Sequence, residues 1–380
     1  MSELPADKPE PNIELGDLFQ QVADAAGATT NRDQLIASLA SIVGMATDDA
    51  DRLDLKITNA ALKEMREAFR VFMPYRSTPK ITMFGSARTQ SDDPLYALAR
   101  DLAATLARQG WMVVTGAGPG IMAAGLEGAG RENAMGINIR LPFEQGANEF
   151  IAKDPKLVTM KYFFTRKLML IKESDGFVVL PGGFGTLDEA FELLTLLQTG
   201  KAEPSPLVLL EAPGSDYWRG FEEFLRDKVA PRGLINLEDL VLFRITDDVE
   251  VAAAEILGFY ANYHSLRFVG ERLVLRVRVA PDDAELARLN ESFGSICISG
   301  GIERIATTGA ERKSGDHVDL PRLALRFDLT HYARLRLLID ALNKLGSAPP
   351  QPASTEESAL AGEPRGRAGA MPDEPIEEAT

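Results

Sequence analysis

Asp175-Gly176-Phe177-Val178-Val179-Leu180-Pro181-Gly182-Gly183-Phe184-Gly185-Thr186-Leu187-Asp188-Glu189 decides the fold. A short apolar run, 175–180, reads as a buried strand. It enters a glycine-rich turn with no intervening polar loop. The turn opens a helix predicted from 186 to about 199. Glycines at such a junction let the chain turn tightly and expose main-chain N–H groups. The helix start adds further N–H donors and a positive dipole end.

Outward from this stretch the same rhythm recurs. Strands are predicted over 80–84, 111–115, 136–141 and 206–210, and helices over 94–108 and from 121 to about 133. Short apolar strands alternating with helices form an α/β fold, an open parallel sheet with helices on both faces. Ligands of such sheets bind at the carboxyl ends of the strands. Residues 80–265 are therefore read as one α/β domain. Ahead of it come an acidic, proline-bearing lead over 1–12, expected to be disordered, and a helical extension over 13–79. Leu18, Val22, Leu35, Leu39 and Ile42 mark the extension's apolar faces. Behind it, 266–345 reads as a small α+β module built from a duplicated βαβ-type unit, with strands at 273–279, 295–299 and 323–329. A disordered acidic tail is expected over 346–380.

The chain has 380 residues and a formal net charge of −15, with 45% hydrophobic and 26% charged residues. That charge repels a phosphate backbone, so no nucleic-acid partner is expected. Cys297 is the single cysteine, which excludes an intramolecular disulfide. The three histidines, His264, His317 and His331, are scattered, so no metal site is expected. The sequence has no signal-like leader and no apolar stretch of membrane-spanning length, and a cytoplasmic location follows as the default.

Three glycine-rich turns each follow a strand: Phe84-Gly85-Ser86-Ala87-Arg88, Gly116-Ala117-Gly118-Pro119-Gly120-Ile121-Met122, and Pro181 to Glu189. The second departs from the dinucleotide fingerprint at Ile121, and the third lacks the Gly-Lys-Ser/Thr of a P-loop. Any one of them is explained as well by a structural turn as by a site. All three together are explained poorly that way. Thr186 is placed to cap its helix and to touch a phosphate oxygen. Glu189 suits glycosidic bond cleavage, where a carboxylate orients water and offsets charge on an oxocarbenium-like sugar. It equally suits a first-turn glutamate favoured by the helix dipole. Arg166 and Lys167 read alone as a solvated pair on a helix.

Pro181-Gly182-Gly183-Phe184-Gly185-Thr186-Leu187-Asp188-Glu189 resembles the P-G-G-x-G-T-x-x-E signature of the LONELY GUY (LOG) family. Arg166-Lys167 matches the Arg-Lys pair that precedes it there, and the first two turns are similar to the family's other glycine motifs. The resemblance covers residues 80–265 and points to the longer bacterial members. It implies a Rossmann-like fold, a homodimer or larger homo-oligomer, no cofactor, and phosphoribohydrolase activity. A nucleoside 5′-monophosphate, AMP or a cytokinin riboside monophosphate, would yield free base and ribose 5-phosphate. Carried over, Arg166 and Glu189 would be catalytic, and Gly182, Gly183, Gly185 and Thr186 would bind phosphate. Gly85, Ser86, Gly118, Gly120, Met122 and Lys167 would complete the substrate site. Ala123 departs from the pattern, standing where longer relatives carry Glu. The lysine-decarboxylase label once given to relatives finds no Ser-x-His-x-x-Lys motif here. The competing reading is a carrier or sensor of a nucleotide or phosphorylated cofactor on the same fold. A third reading makes 266–345 an effector module.

Overall fold

The computed structural model describes residues 13–140 and 146–349. The expected lead over 1–12 lies outside them, as does all of the expected tail beyond 349. The chain divides into two compact units, Met1–Glu64 and Met65–Thr380.

The first unit holds α1 (Ile13–Ala25), α2 (Arg32–Thr47) and the start of α3 (Arg52–Phe72). Arg32 ties the first two helices by donating to Gln20 and pairing with Asp24 at 2.6 Å. Phe19 and Ala23 are buried, whereas Leu18, Val22, Leu35 and Ile42 remain exposed.

The second unit is built on seven parallel strands: β1 (Lys80–Phe84), β2 (Met112–Thr115), β3 (Ala134–Ile139), β4 (Leu157–Met160), β5 (Gly176–Val179), β6 (Leu207–Leu210) and β7 (Arg244–Thr246). They lie in the order β4-β3-β2-β1-β5-β6-β7. Between them run α4 (Pro94–Arg108), α5 (Ile121–Asn133), α6 (Phe163–Lys172), α7 (Phe184–Thr199) and α8 (Tyr217–Phe224), and α9 (Val249–Gly258) follows β7. Side chains alternate across the strands, which produces two cores. Ile81, Val113, Val178 and Val208 face α4, α5 and α9. Val114, Phe177, Val179 and Leu209 face α6, α7, α8 and the end of α3, where Ala68 and Phe72 are buried. This is the Rossmann-like sheet covered on both faces.

Two predicted boundaries move. The third strand begins at Ala134 and ends at Ile139. Helix α7 begins at Phe184, two residues early, because Gly183 already occupies the N-cap position. The sheet grows from β1 to β4 in one direction and then resumes from β5 on the other side of β1. The turns after β1 and β5 therefore flank the switch point, where such sheets open a crevice.

The C-terminal module contains β8 (Tyr263–Val269), β9 (Arg272–Val277), α10 (Asp283–Phe293), β10 (Glu303–Ile305), α11 (Gly309–Ser314), β11 (Arg322–Leu325) and α12 (Tyr332–Asn343). Its sheet, ordered β10-β11-β9-β8, is antiparallel throughout. This corrects the βαβ-type expectation, which requires parallel strands. The reason is local: Val269 pairs with Arg272, so Gly270-Glu271 is a two-residue hairpin, and Gly270 takes the positive φ of 58° such a turn needs. The expected strand at 295–299 is instead a 3₁₀ turn, Gly294–Ile296, followed by one isolated bridge from Cys297 to Phe327. A buried Glu311 joins Arg276 and Arg322 at 2.9 and 3.0 Å across the module. Burial pushes its carboxyl up, but hydrogen bonds from Thr308 and both arginines outweigh that and hold it at about 2. Ser347 bonds Glu285 through both its N–H and its hydroxyl, which holds the first residues of the expected tail against α10. Among the described residues no helix is long and apolar enough to cross a membrane.

The module meets α7 at its far end. Gly200 closes that helix with φ 68°, and a Cβ there would lie 1.8 Å from the Tyr332 ring of α12. Gly200→Ala is expected to lower the unfolding midpoint by several degrees, since left-handed backbone strain alone costs about 1–2 kcal/mol. Adding Tyr332→Ala should return only the steric part. Calorimetric melting of the single and double variants measures both parts.

Candidate active site

The three glycine-rich turns interlock at the switch point. The Ser86 N–H donates to Pro181 O at 3.3 Å, joining the first turn to the third. The Ile121 N–H donates to Ser86 O at 3.0 Å, joining the second turn to the first. Gly120, with φ 66°, is required twice over: a Cβ there would lie 2.3 Å from Ser86 O. Gly85 is equally constrained, its Cβ position falling 2.6 Å from the Ile121 side chain. The second turn is steadied by Asn148, whose N–H donates to Ala117 O and whose side-chain amide donates to Gly118 O at 2.8 Å. Met122 folds back over this turn, within 2.7 Å of a Cβ placed on Gly118.

Arg166 reaches this assembly from α6. Its Nε donates to Ile137 O at 3.0 Å and its Nη2 to Gly116 O at 3.4 Å. A Cβ on Gly116 would come within 2.0 Å of that Nη2, so glycine there makes room for the guanidinium. Arg166 is thus a fixed cation under the second turn, rather than the solvated partner of Lys167.

The third turn supplies the rest. Gly182 is packed against Thr186, whose Oγ1 would lie 2.2 Å from a Cβ on it. Gly183 and Gly185 are open, with nothing within 4 Å of a Cβ position. Thr186 is not the helix cap: Gly183 is, and Thr186 sits buried in the first turn with its N–H on Gly183 O at 3.0 Å. The N–H groups ahead of Thr186 have no intrahelical acceptor, so those at the very start of α7 are available to an anion.

Glu189 lies one turn into α7 and is only 7% exposed. Its Oε2 is buried and makes no hydrogen bond among the described residues. Burial raises its carboxyl to about 7, against the lowering pull of Lys167 and Arg166. A first-turn glutamate present only for the helix dipole would face water, and this one does not. Lys167 is held otherwise than expected. Its ammonium is bound by Glu192 at 2.5 Å and Asp188 at 2.9 Å, with the side chain 14% exposed. Burial lowers its pKa, but the two carboxylates outweigh this and raise it. Its field acts on Glu189, while its hydrogen bonds go to carboxylates of the chain.

Asn148 and Tyr217 escaped the sequence reading. The Tyr217 hydroxyl donates to Gly182 O at 2.6 Å across 35 residues of sequence. Neither residue belongs to a motif, and an aromatic just after β6 reads as core. Among the described residues no cluster of His, Cys, Asp and Glu stands ready to hold a metal.

Comparison with known proteins gives the following similarities. A family described as "Possible lysine decarboxylase" matches residues 118–256. A cytokinin riboside 5′-monophosphate phosphoribohydrolase of Mycobacterium tuberculosis is 31% identical over 124 residues, 32% of this chain and 64% of that protein. The Arabidopsis thaliana cytokinin riboside 5′-monophosphate phosphoribohydrolase LOG1 is 39% identical over 71 residues, 19% of this chain and 32% of that protein. Over the matched segment the α/β unit is similar to LOG-family proteins. The matched segment thus spans about a third of LOG1 and just under two thirds of the mycobacterial LOG protein. The helical extension and the C-terminal module lie outside it. Among solved structures, the molybdenum cofactor carrier protein of Chlamydomonas reinhardtii aligns at 22% identity over 47% of this chain and 94% of its own, with a TM-score of 0.33. That likeness carries no argument about function.

The raised carboxyl of Glu189 has a consequence for stability. Its folded pKa of about 7 exceeds the ordinary 4.5, so the folded chain binds more protons between those values. The glutamate's contribution to stability therefore falls as pH rises from about 4.5 to 7. Glu189→Gln removes the titration, so its melting temperature relative to wild type is expected to climb by a few degrees between pH 5 and pH 8. A constant difference across that range would show that Glu189 is not buried as described.

Proposed function

We propose that the LOG domain hydrolyses the N-glycosidic bond of a nucleoside 5′-monophosphate, AMP or a cytokinin riboside monophosphate, to free base and ribose 5-phosphate. The observation that carries this reading is the buried, unbonded Oε2 of Glu189 beside an open glycine turn, within the electrostatic reach of a fixed Arg166. The 5′-phosphate takes the N–H groups of Gly183 and Gly185 and the Thr186 hydroxyl at the start of α7. That anchorage presents C1′ of the ribose to Glu189. The C1′–N bond breaks with its electron pair leaving on the base, which takes a proton from solvent, and a water oxygen adds to C1′. Glu189 takes the proton of that water and, ionised, offsets charge on the oxocarbenium-like sugar. A carboxyl near 7 is well matched to this task at neutral pH. Arg166 balances the negative charge brought by phosphate and departing base. Gly85, Ser86, Gly118, Gly120 and Met122 line the sugar and base side.

The matched family's description as a possible lysine decarboxylase finds no support in the site. Its one lysine, Lys167, is tied to two carboxylates. We further propose that the chain works as a homodimer or larger homo-oligomer, using the exposed Phe163, Phe164 and Leu168 of α6.

Incubation with AMP, GMP, CMP, UMP and isopentenyl-adenosine monophosphate, with chromatography of the free base, tests the activity. Wild type is expected to release base, and Glu189→Ala to lose at least about a hundredfold in rate. Nucleotide binding with no base released from any substrate would replace this reading with the carrier or sensor. Because the ionised carboxylate is the active form, kcat/KM is expected to rise with pH through about 7 and then level. A profile flat across that range would remove Glu189 from the role of base.

A further inference from the structure

We infer that Tyr217 is a positioning residue that sets the phosphate-binding turn, acting through the Gly182 carbonyl. This rests on the reading of the third turn as a phosphate cradle. In a trans peptide the C=O and the N–H lie in one plane and point in opposite directions. The Tyr217 hydroxyl grips the Gly182 oxygen at 2.6 Å. The N–H on the other end of that same peptide belongs to Gly183, so gripping the oxygen turns this N–H the opposite way, toward the open side of the turn. Gly183 has nothing within 4 Å of its Cβ position, so without an outside hold this peptide could rotate.

Tyr217 is itself held from β6. Glu211, fully buried just past the carboxyl end of that strand, accepts the Trp218 N–H at 2.8 Å and the Ser215 hydroxyl at 3.2 Å. Ser215 in turn accepts the Tyr217 N–H at 3.3 Å. The buried Trp218 ring packs edge-on against the Tyr217 ring, with centroids 4.8 Å apart. The buried carboxylate thus fixes the start of α8, α8 fixes the phenol, and the phenol fixes the peptide that offers Gly183 N–H to phosphate. This hold lies outside the signature motif and adds a strand to the site: β6 acts on the ligand without touching it.

The test is Tyr217→Phe in the full chain, which keeps the ring and its packing and removes only the hydroxyl. Calorimetric titration with ribose 5-phosphate, and with ribose as control, reads the effect. The loss of one hydrogen bond predicts affinity for ribose 5-phosphate reduced about three- to tenfold, with ribose unchanged. With whichever nucleotide wild type hydrolyses, KM should rise by the same factor and kcat change less. Unchanged ribose 5-phosphate affinity in the variant, or none in wild type, overturns the inference. Should Tyr217→Phe melt early, wild-type protein labelled with ¹⁵N-glycine gives the second reading. Ribose 5-phosphate is expected to shift the Gly183 amide, and an unmoved resonance overturns the inference. Wild type that binds ribose 5-phosphate yet hydrolyses no nucleotide sinks the hydrolase reading and leaves this one standing.

Discussion

Gly120 sits where no side chain fits, with φ 66° and Ser86 O only 2.3 Å from the place of its Cβ. The rest of the site depends on that close approach. It brings the start of α5 against the turn after β1, which the Ser86 N–H links to the turn after β5. Three loops that would otherwise move separately become one backbone surface at the switch point. The guanidinium of Arg166 occupies the space that glycine leaves at Gly116. A site of this kind is lined by peptide groups, which suits an anion that must be gripped without a layer of long, mobile side chains.

Against this peptide-lined surface stands one expensive group. Glu189 is buried and raised to about 7, so the fold holds a carboxylate where water cannot solvate it. Local burial of that sort is tolerated because α7 is anchored along its whole length. Ala190, Leu193 and Leu197 are buried in the core below it. Lys167, Asp188 and Glu192 form a compact ion cluster beside it. At its C-terminal end Gly200 is pressed by Tyr332 of the module. The helix carrying the carboxylate is therefore gripped at both ends, by the glycine turn and by α12. A polar cavity of about 430 Å³, lined by Arg244, Glu255, Arg336 and Asp340, lies where α12 meets α9. The appended module is in this way mechanically continuous with the helix that carries Glu189, although it lies beyond the residues 118–256 that the family model matches.

The strands β1, β2, β5 and β6 were legible because buried parallel strands are short apolar runs bounded by turn residues, and α4 was legible because its apolar residues repeat at helical spacing. The antiparallel module was misread because periodicity reports burial, not strand direction. Its direction was written only in Gly270-Glu271, a two-residue hairpin that looks like any other loop in sequence. Helix α7 was begun late because Thr186 has the side chain of a cap, while Gly183 occupies the capping position.

Alone, the sequence determined the alternation of strands and helices, the three glycine turns and the positions of Arg166 and Glu189, since each rests on neighbours along the chain. Tertiary structure alone decided what those residues are. Glu189 is a buried, raised carboxyl rather than a helix-end charge because α6 and the core exclude water from it. Lys167 belongs to Glu192 and Asp188 because α6 and α7 lie side by side. Tyr217 reaches Gly182 because β6 pairs with β5, a contact 35 residues apart in the chain. Electrostatics and backbone orientation depend on distance in space, and one chain's local pattern does not encode that distance.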